Sequence, residues 1–260
     1  MQLIKRTIKV GNSAGVLLPK QYLNSQVKIT LEPLNIERDV IDILIKKKLL
    51  KEVIGVYLVG SYARGEQTIE SDVDILVITT HTDKTINKEP YDLTCVSKKE
   101  LERQLKQNAL PMIPMIKEAK PIINKELIKQ YIHSPLTKKN LKWHLDTTLS
   151  VIQFIEEDQK IASKLKETKT SDRIAYSLIL RLRTMHIIDR LRKNKSYTKK
   201  EFLKFVRKIS GSLEAYQGYV RSKSKKKSKK TLPINEAKKI VQYLKKEVTS
   251  IRKWLKEKKG

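Results

Sequence analysis

The stretch VGSYARGEQTIESDVDILVIT, residues 59–79, holds the residues best suited to chemistry. Asp72 and Asp74 lie two apart in an apolar run. Side chains alternate across a strand, so both carboxylates point to one face while Val73 and Ile75 hold the other. Two like charges side by side are costly unless a cation lies between them. Mg²⁺ takes one or two carboxylates and completes its shell with water and phosphate oxygens. The spacing therefore suggests metal-assisted work on a phosphate.

Upstream, Gly60-Ser61 ends an apolar strand and precedes a helix start. Glycine permits close approach of a phosphate, and free backbone N–H groups at such a turn receive it. The Ser61 hydroxyl can donate to a phosphate oxygen, and Arg64 can pair with a phosphate or with a carboxylate such as Glu66. Alone, Gly-Ser reads as a plain turn. The carboxylate pair eleven residues later strengthens the phosphate reading. A third acid is expected from a neighbouring strand, and EPYDLTCVS supplies Asp92 in apolar surroundings. Asp92 suits a metal ligand or the base that takes a proton from an attacking hydroxyl. Asp83 and Glu89 compete for the role but lie in a polar, loop-like stretch.

These residues, Gly60, Ser61, Arg64, Gly65, Ser71, Asp72 and Asp74, resemble the signature of the DNA polymerase β-type nucleotidyltransferase superfamily. The family's distant third acid falls on Asp92. The resemblance implies an α/β (α+β) nucleotidyltransferase sheet domain, matching the minimal members. It implies transfer of a nucleoside monophosphate from an NTP, ATP or CTP, with Mg²⁺ or Mn²⁺ and release of pyrophosphate. Asp72, Asp74 and Asp92 would then be the catalytic and metal-binding acids, and Gly60, Ser61, Arg64 and Ser71 the nucleotide-binding residues. All three acids are present, which argues against a degenerate copy. The implied acceptor is a hydroxyl on RNA, such as a tRNA end, or on a partner protein.

The elements that position these residues fall into three regions. Residues 1–33 read as a β unit: strand-like LIKRTIKV, a GNSAG turn, a short VLLP strand, a turn at KQYLNS, and a strand at QVKITLEP. Residues 34–98 carry a helix over 35–51 capped by Asn35, then strands at VIGVYLVG, VDILVIT and YDLTCVS. Residues 99–260 turn helical, completing helices at KKELERQLKQN (from 98), NKELIKQYI, 138–165, 171–193, TKKEFLKFVRKIS and NEAKKIVQYLKKEVTSIRKWLKEK. The expectation is a C-terminal helical bundle. Within it, RSKSKKKSKK at 221–230 holds seven basic residues and no acid, a loop suited to phosphate backbones or to plain solvation.

Thirty residues cannot bury a core alone, so the first region must pack on something else. IKVGNSAGVLLPKQYL is similar to the AbrB/MazE-type swapped-hairpin DNA-binding domain, through Lys9, Gly11, Asn12, Ser13, Ala14, Val16 and Pro19. The resemblance implies a homodimer, and DNA contacts at Lys5, Arg6, Lys9 and Asn12. Pure dimerisation is the alternative.

The chain has 260 residues and a net charge of +28, with 56 basic side chains against 28 acidic. Such a field draws polyanions, and nucleic acid is the leading partner class. No apolar run reaches transmembrane length, and MQLIKRTIKV lacks a signal peptide's apolar core. The expectation is a cytoplasmic protein with no membrane partner. The single cysteine, Cys95, excludes an internal disulfide and fits a strand core.

In the helical half, Arg181 and His186 have a spacing similar to that of HEPN ribonucleases, weighed against a packed histidine. Trp143 and Trp254 read as core anchors. A rival to the enzyme reading is a DNA-binding regulator, an antitoxin-like component of a toxin–antitoxin system.

Overall fold

The computed structural model describes residues 5, 7–30, 34–68, 71–224 and 227–257. It divides into two units, residues 1–39 and 40–260.

In the first unit, β1 (Ile8–Val10) pairs antiparallel with β2 (Ser13–Gly15). The connection is Gly11-Asn12, and Gly11 takes φ +57°, a left-handed conformation open to glycine without strain. The second strand lies in the segment expected as a turn. VLLP and residues 26–30 form no strand among the described residues. A strand needs a partner for its backbone N–H and C=O groups, and among the described residues of this unit only β1 and β2 pair. Pro19 leads into a 3-10 turn at Lys20–Tyr22. No described residue of this unit is buried, and several of its apolar side chains stand in solvent, with Leu17 68% and Ile29 62% exposed.

Helix α1 (Ile36–Lys46) starts at Asn35, whose Oδ1 accepts from the Arg38 N–H at 3.1 Å. It stops short of the expected residue 51, because Lys48 adopts φ +57°. Val40, Ile43 and Leu44 are buried.

The sheet of the second unit has five strands: β3 (Val53–Leu58), β4 (Val73–Thr79), β5 (Lys84–Lys88), β6 (Tyr91–Ser97) and β7 (Lys120–Ile123). Their order is β5-β6-β4-β3-β7. β4 and β6 run parallel, and all other neighbours are antiparallel. β4 is apolar on both faces because it is central, and Val73, Ile75, Leu76, Val77 and Ile78 are fully buried. The edge strands β5 and β7 carry lysines and a proline, devices that blunt a free edge. That polarity hides them from a hydrophobic-pattern reading. β7 also draws the sheet beyond residue 98.

The helices are α2 (Gly60–Arg64), α3 (Lys98–Gln107), α4 (Ile113–Glu118), α5 (Lys125–Lys129), α6 (Lys138–Lys164), α7 (Asp172–Arg192), α8 (Lys199–Ser210), α9 (Glu214–Lys223) and α10 (Ile234–Glu257). α6 opens with a capping box between Thr137 and Asn140. One core joins the helices to one sheet face: Tyr57, Val59, Leu76, Ile78 and Val96 pack with residues such as Leu101, Ile113, Leu141, Leu178 and Leu244. By alternation, Asp74 shares that helix-covered face with Leu76 and Ile78. The architecture is a mixed α+β sheet domain with a helical C-terminal region.

Two helices were not expected either, α4 and α9, nor the small ribbon that joins β8 (Lys169–Ser171) to β9 (Lys230–Pro233). α9 runs to Lys223 and β9 starts at Lys230, so the basic stretch is shorter as a loop than 221–230. Its base is tied to one carboxylate. Asp172 is fully buried and accepts from Arg221 Nε at 3.0 Å, Arg221 Nη2 at 2.8 Å and the Lys229 N–H at 3.0 Å. Trp143 departs from the core-anchor expectation: it is 54% exposed, with the Arg181 guanidinium 5.9 Å from its ring centre. Among the described residues, no helix is long and apolar enough to cross a membrane.

Candidate active site

The parallel pairing of β4 and β6 sets Asp74 directly opposite Asp92. Their strand neighbours Val73, Ile75, Tyr91 and Leu93 are fully buried on the opposite face and anchor the pair. Asp74 and Asp92 are half-buried, and Asp72, just before the strand, is exposed. Burial first, then the charges of Asp92, Asp72 and Glu118, push the Asp74 carboxyl above the usual range, and Arg64 opposes them. The charges of Asp72 and Asp92 thus both bear on Asp74. Among the described residues, no group of three or more His, Cys, Asp or Glu side chains is arranged to hold a metal ion.

Gly60 comes next to this cluster. The Val59 N–H donates to the Asp74 carbonyl at 2.9 Å, which sets the turn against β4. Gly60 has φ +69°, and a Cβ there would lie 2.0 Å from Asp74 Oδ2. Only glycine brings the backbone so close to that carboxylate. The donor set fits Mg²⁺: hard carboxylate oxygens in a cradle that a side chain at residue 60 would fill, with the rest of the shell left to water and phosphate.

The Gly60 N–H donates to Glu118 Oε1 at 2.7 Å. Arg64 bonds Glu118 Oε2 through Nη1 at 2.5 Å and Glu66 Oε2 through Nε at 3.0 Å. Burial works against the Arg64 charge, but the two glutamates outweigh it and hold the guanidinium firmly protonated. Of the two partners considered for Arg64, this structure therefore shows the carboxylates. Glu118, at the end of α4, escaped the sequence reading. It follows Lys117 as a lone acid, a pattern that reads as solvated surface. Around Arg64, Glu66 also accepts from the Lys199 N–H at 3.3 Å, and the Arg64 and Arg183 guanidinia lie 5.9 and 5.2 Å from the centre of the Tyr197 ring.

The other candidate residues are placed as follows. Ser61 lies in α2, and its carbonyl accepts from the Glu66 N–H at 2.9 Å. The Ser71 hydroxyl accepts from the Thr68 N–H at 2.8 Å and so closes the turn before β4. In the first unit, Lys5 and Asn12 are exposed, while Arg6 and the Lys9 side chain lie outside the described residues. Arg181 and His186 do not share a site. Arg181 turns to Trp143 and donates to Thr147 Oγ1 at 3.0 Å, whereas His186 stacks on Phe205 at 4.6 Å and has a buried, unpartnered Nε2. Burial lowers the His186 pKa, and this histidine is a packing residue. Cys95 is a free, buried thiol on β6, pushed up to about 11 by burial.

Among solved structures, two are similar in part. One is spectinomycin adenyltransferase AAD(9) from Enterococcus faecialis, determined with ATP and spectinomycin. It shares 14% identity over 82% of this chain and 98% of its own, with a TM-score of 0.45. The other is a nucleotidyltransferase-like protein from Exiguobacterium sibiricum 255-15, with 17% identity over 83% of this chain and 75% of its own, and a TM-score of 0.36. A comparison with curated proteins gave no match. The family model of the nucleotidyltransferase domain matches residues 38–179, more than half of the chain, and spans Gly60, all three aspartates and Glu118. The chain therefore belongs to the nucleotidyltransferase domain family, of the polymerase β type, and is a nucleotidyl-transferring enzyme.

Proposed function

We propose that this enzyme transfers a nucleoside monophosphate from ATP or CTP to a hydroxyl of an RNA acceptor, with Asp72, Asp74 and Asp92 as its reacting carboxylates. The observation that carries this reading is the register that sets Asp74 against Asp92, beside a glycine whose Cβ would strike Asp74. Asp72 and Asp74 would hold Mg²⁺ or Mn²⁺, which supplies positive charge to the triphosphate when bound. Gly60 and Ser61 receive phosphate oxygens on the backbone and hydroxyl. The acceptor oxygen bonds to the α-phosphorus, the bond from that phosphorus to pyrophosphate breaks, and the hydroxyl proton passes to Asp92. The surplus of 56 basic over 28 acidic side chains favours a polyanionic acceptor.

The test uses purified protein, Mg²⁺, each α-labelled NTP, and total RNA and protein lysate in separate reactions. Label should enter RNA with the wild type and not with Asp72→Ala/Asp74→Ala. Label entering protein instead would overturn the RNA acceptor.

A second reading concerns the first unit. Its described residues bury nothing, and Leu17, Leu23, Val27 and Ile29 are exposed. A segment with that much free apolar surface and no core of its own fits pairing with a second copy. The hairpin then presents Lys5, Arg6, Lys9 and Asn12 to DNA, as in a regulator of a toxin–antitoxin pair. Light scattering should give a dimer that Leu17→Glu/Val27→Glu dissociates. DNA binding that survives Asp72→Ala would favour the regulator, and a monomeric wild type would remove this reading.

A further inference from the structure

Helix α6 presents an apolar stripe to solvent. At about 100° per residue, Trp143, Phe154, Ile161 and Leu165, just past the helix end, fall within about 40° of one another. Each is more than half exposed, and they lie opposite the buried face of Leu141, Leu145, Ile152 and Ile155. The stripe runs about 33 Å, and at a helix width of about 10 Å it offers roughly 330 Å², a size of apolar patch that often serves an interaction.

The spacing along the stripe is palindromic. Trp143 and Leu165 are each eleven residues from Phe154, and Thr147 and Ile161 are each seven. Charge also sets α6 apart. It carries five lysines and four acids, whereas the chain has 56 basic residues against 28 acidic. Four acids along one helix repel nucleic acid and anionic lipid. A nearly neutral helix is also where two copies of a chain of net charge +28 meet with least repulsion. One flank of the stripe holds a cation in want of an anion. Arg181 donates to Thr147 Oγ1 at 3.0 Å, yet its guanidinium has no carboxylate partner among the described residues. Asp158, on the same flank as Thr147, accepts only from Thr170 Oγ1 there, at 3.4 Å.

We propose that α6 pairs antiparallel with α6 of a second copy, about a two-fold axis beside Phe154. The palindrome then meets itself: Trp143 faces the partner's Leu165, Thr147 faces the partner's Ile161, and Phe154 faces its own copy. Such an axis brings like flanks together. Asp158 comes within about one helical turn of the partner's Thr147, and so of the partner's Arg181. On the other flank Asp146, which also holds Lys142 and Arg252 of its own chain, meets the partner's Lys160 and Lys164. A parallel pair would set each lysine against its own copy. One strip of this size is small for an interface, so the pair forms only at high concentration, with a Kd of about 0.1 mM. It is weaker than the hairpin pairing and independent of it.

The test uses sedimentation equilibrium of the full chain carrying Leu17→Glu/Val27→Glu, which silences the hairpin. That protein should be monomeric when dilute and dimeric near 1 mM, as a Kd of about 0.1 mM requires. Adding Phe154→Glu should weaken the association at least tenfold and leave the melting temperature unchanged, because the position is exposed. Cysteine pairing reads the direction. Phe154→Cys should form a disulfide-linked dimer on mild oxidation, since a residue beside the axis meets its own copy. Trp143→Cys alone should not link, but Trp143→Cys mixed with Leu165→Cys should; the native Cys95 is buried. A monomer at every concentration, or association indifferent to Phe154→Glu, would overturn the proposal. So would self-linking of Trp143→Cys as fast as Phe154→Cys, the mark of a parallel pair. If Phe154→Glu instead abolished the hairpin-dependent dimer of dilute protein, or its binding to phosphatidylserine vesicles, the stripe would belong to the hairpin or to a membrane, and the second copy would be refuted.

Discussion

Gly60→Ala tests the cradle most directly. Two effects act on the substitution. The backbone at residue 60 has φ +69°, where a side chain costs about 1–3 kcal/mol. The new Cβ would also stand 2.0 Å from Asp74 Oδ2 and 2.8 Å from its Cγ. Ordinary contact begins at 3.4 Å, so the carboxylate must move by more than an ångström. A displacement of about 1 Å at reacting groups costs roughly 100-fold in rate, or about 2.7 kcal/mol in the barrier. Gly65→Ala separates the two effects. Gly65 has φ +70° and nothing within 4 Å of its would-be Cβ, so it bears the backbone strain without the collision. Urea unfolding should show the cost of backbone strain in both variants, and a larger loss in Gly60→Ala, which adds the collision. In kcat/KM for labelled NTP, Gly60→Ala should fall about 100-fold further than Gly65→Ala. Equal activity losses in the two variants would refute the collision and, with it, the role of Asp74 as the group the glycine makes room for.

Asp74→Asn should abolish transfer yet stabilise the fold near neutral pH. The folded carboxyl is shifted upward, so its contribution to stability is complete below the ordinary carboxylate pKa of about 3.9 and is lost as pH rises through the folded value. The gain in melting temperature should therefore vanish toward pH 3, and Mg²⁺ should raise the melting temperature of the wild type but not of Asp72→Ala/Asp74→Ala. Asp172→Asn has the reverse sign. Arg221 first, and then the Lys229 N–H, hold the Asp172 carboxyl below its usual range, so its contribution is present above about pH 3.9 and lost as pH falls through the folded value. Chemical unfolding at neutral pH should show a loss of about 3 kcal/mol, as for a broken buried ion pair. His186→Phe should leave stability unchanged or raise it by about 1 kcal/mol, since it removes an unpartnered buried nitrogen from an aromatic cluster; a large loss of stability would mean the histidine is hydrogen-bonded.

The strand that carries Asp74 was legible because its signal is local. A glycine, a serine and two carboxylates on an apolar run fall within twenty residues or so, a pattern that the family model also spans. Glu118 was not legible, because its meaning lies in Gly60, which is 58 residues away. The edge strand at Lys84–Lys88 was missed because protection of the edge erases the alternation that marks a strand. α9 was hidden by Gly218, a poor helix residue. It is needed there because a Cβ would lie 2.7 Å from the Ala175 Cβ and 2.9 Å from Asp172 Oδ1, where α9 packs on α7. Residues 26–30 show the opposite error. They alternate like a strand, yet a strand forms only where a second strand offers its backbone.

The clasp around Asp172 makes the basic segment after α9 an insertion point. Arg221 before the segment and Lys229 at its end are fastened to one buried carboxylate, so the framework is closed below whatever chain lies above it. Doubling the length of such a closed loop adds only about 0.6 kcal/mol of closure entropy. A reporter peptide or a second small domain could be spliced in after Ser224 without drawing on the core, giving the enzyme a handle remote from its carboxylates in the sequence.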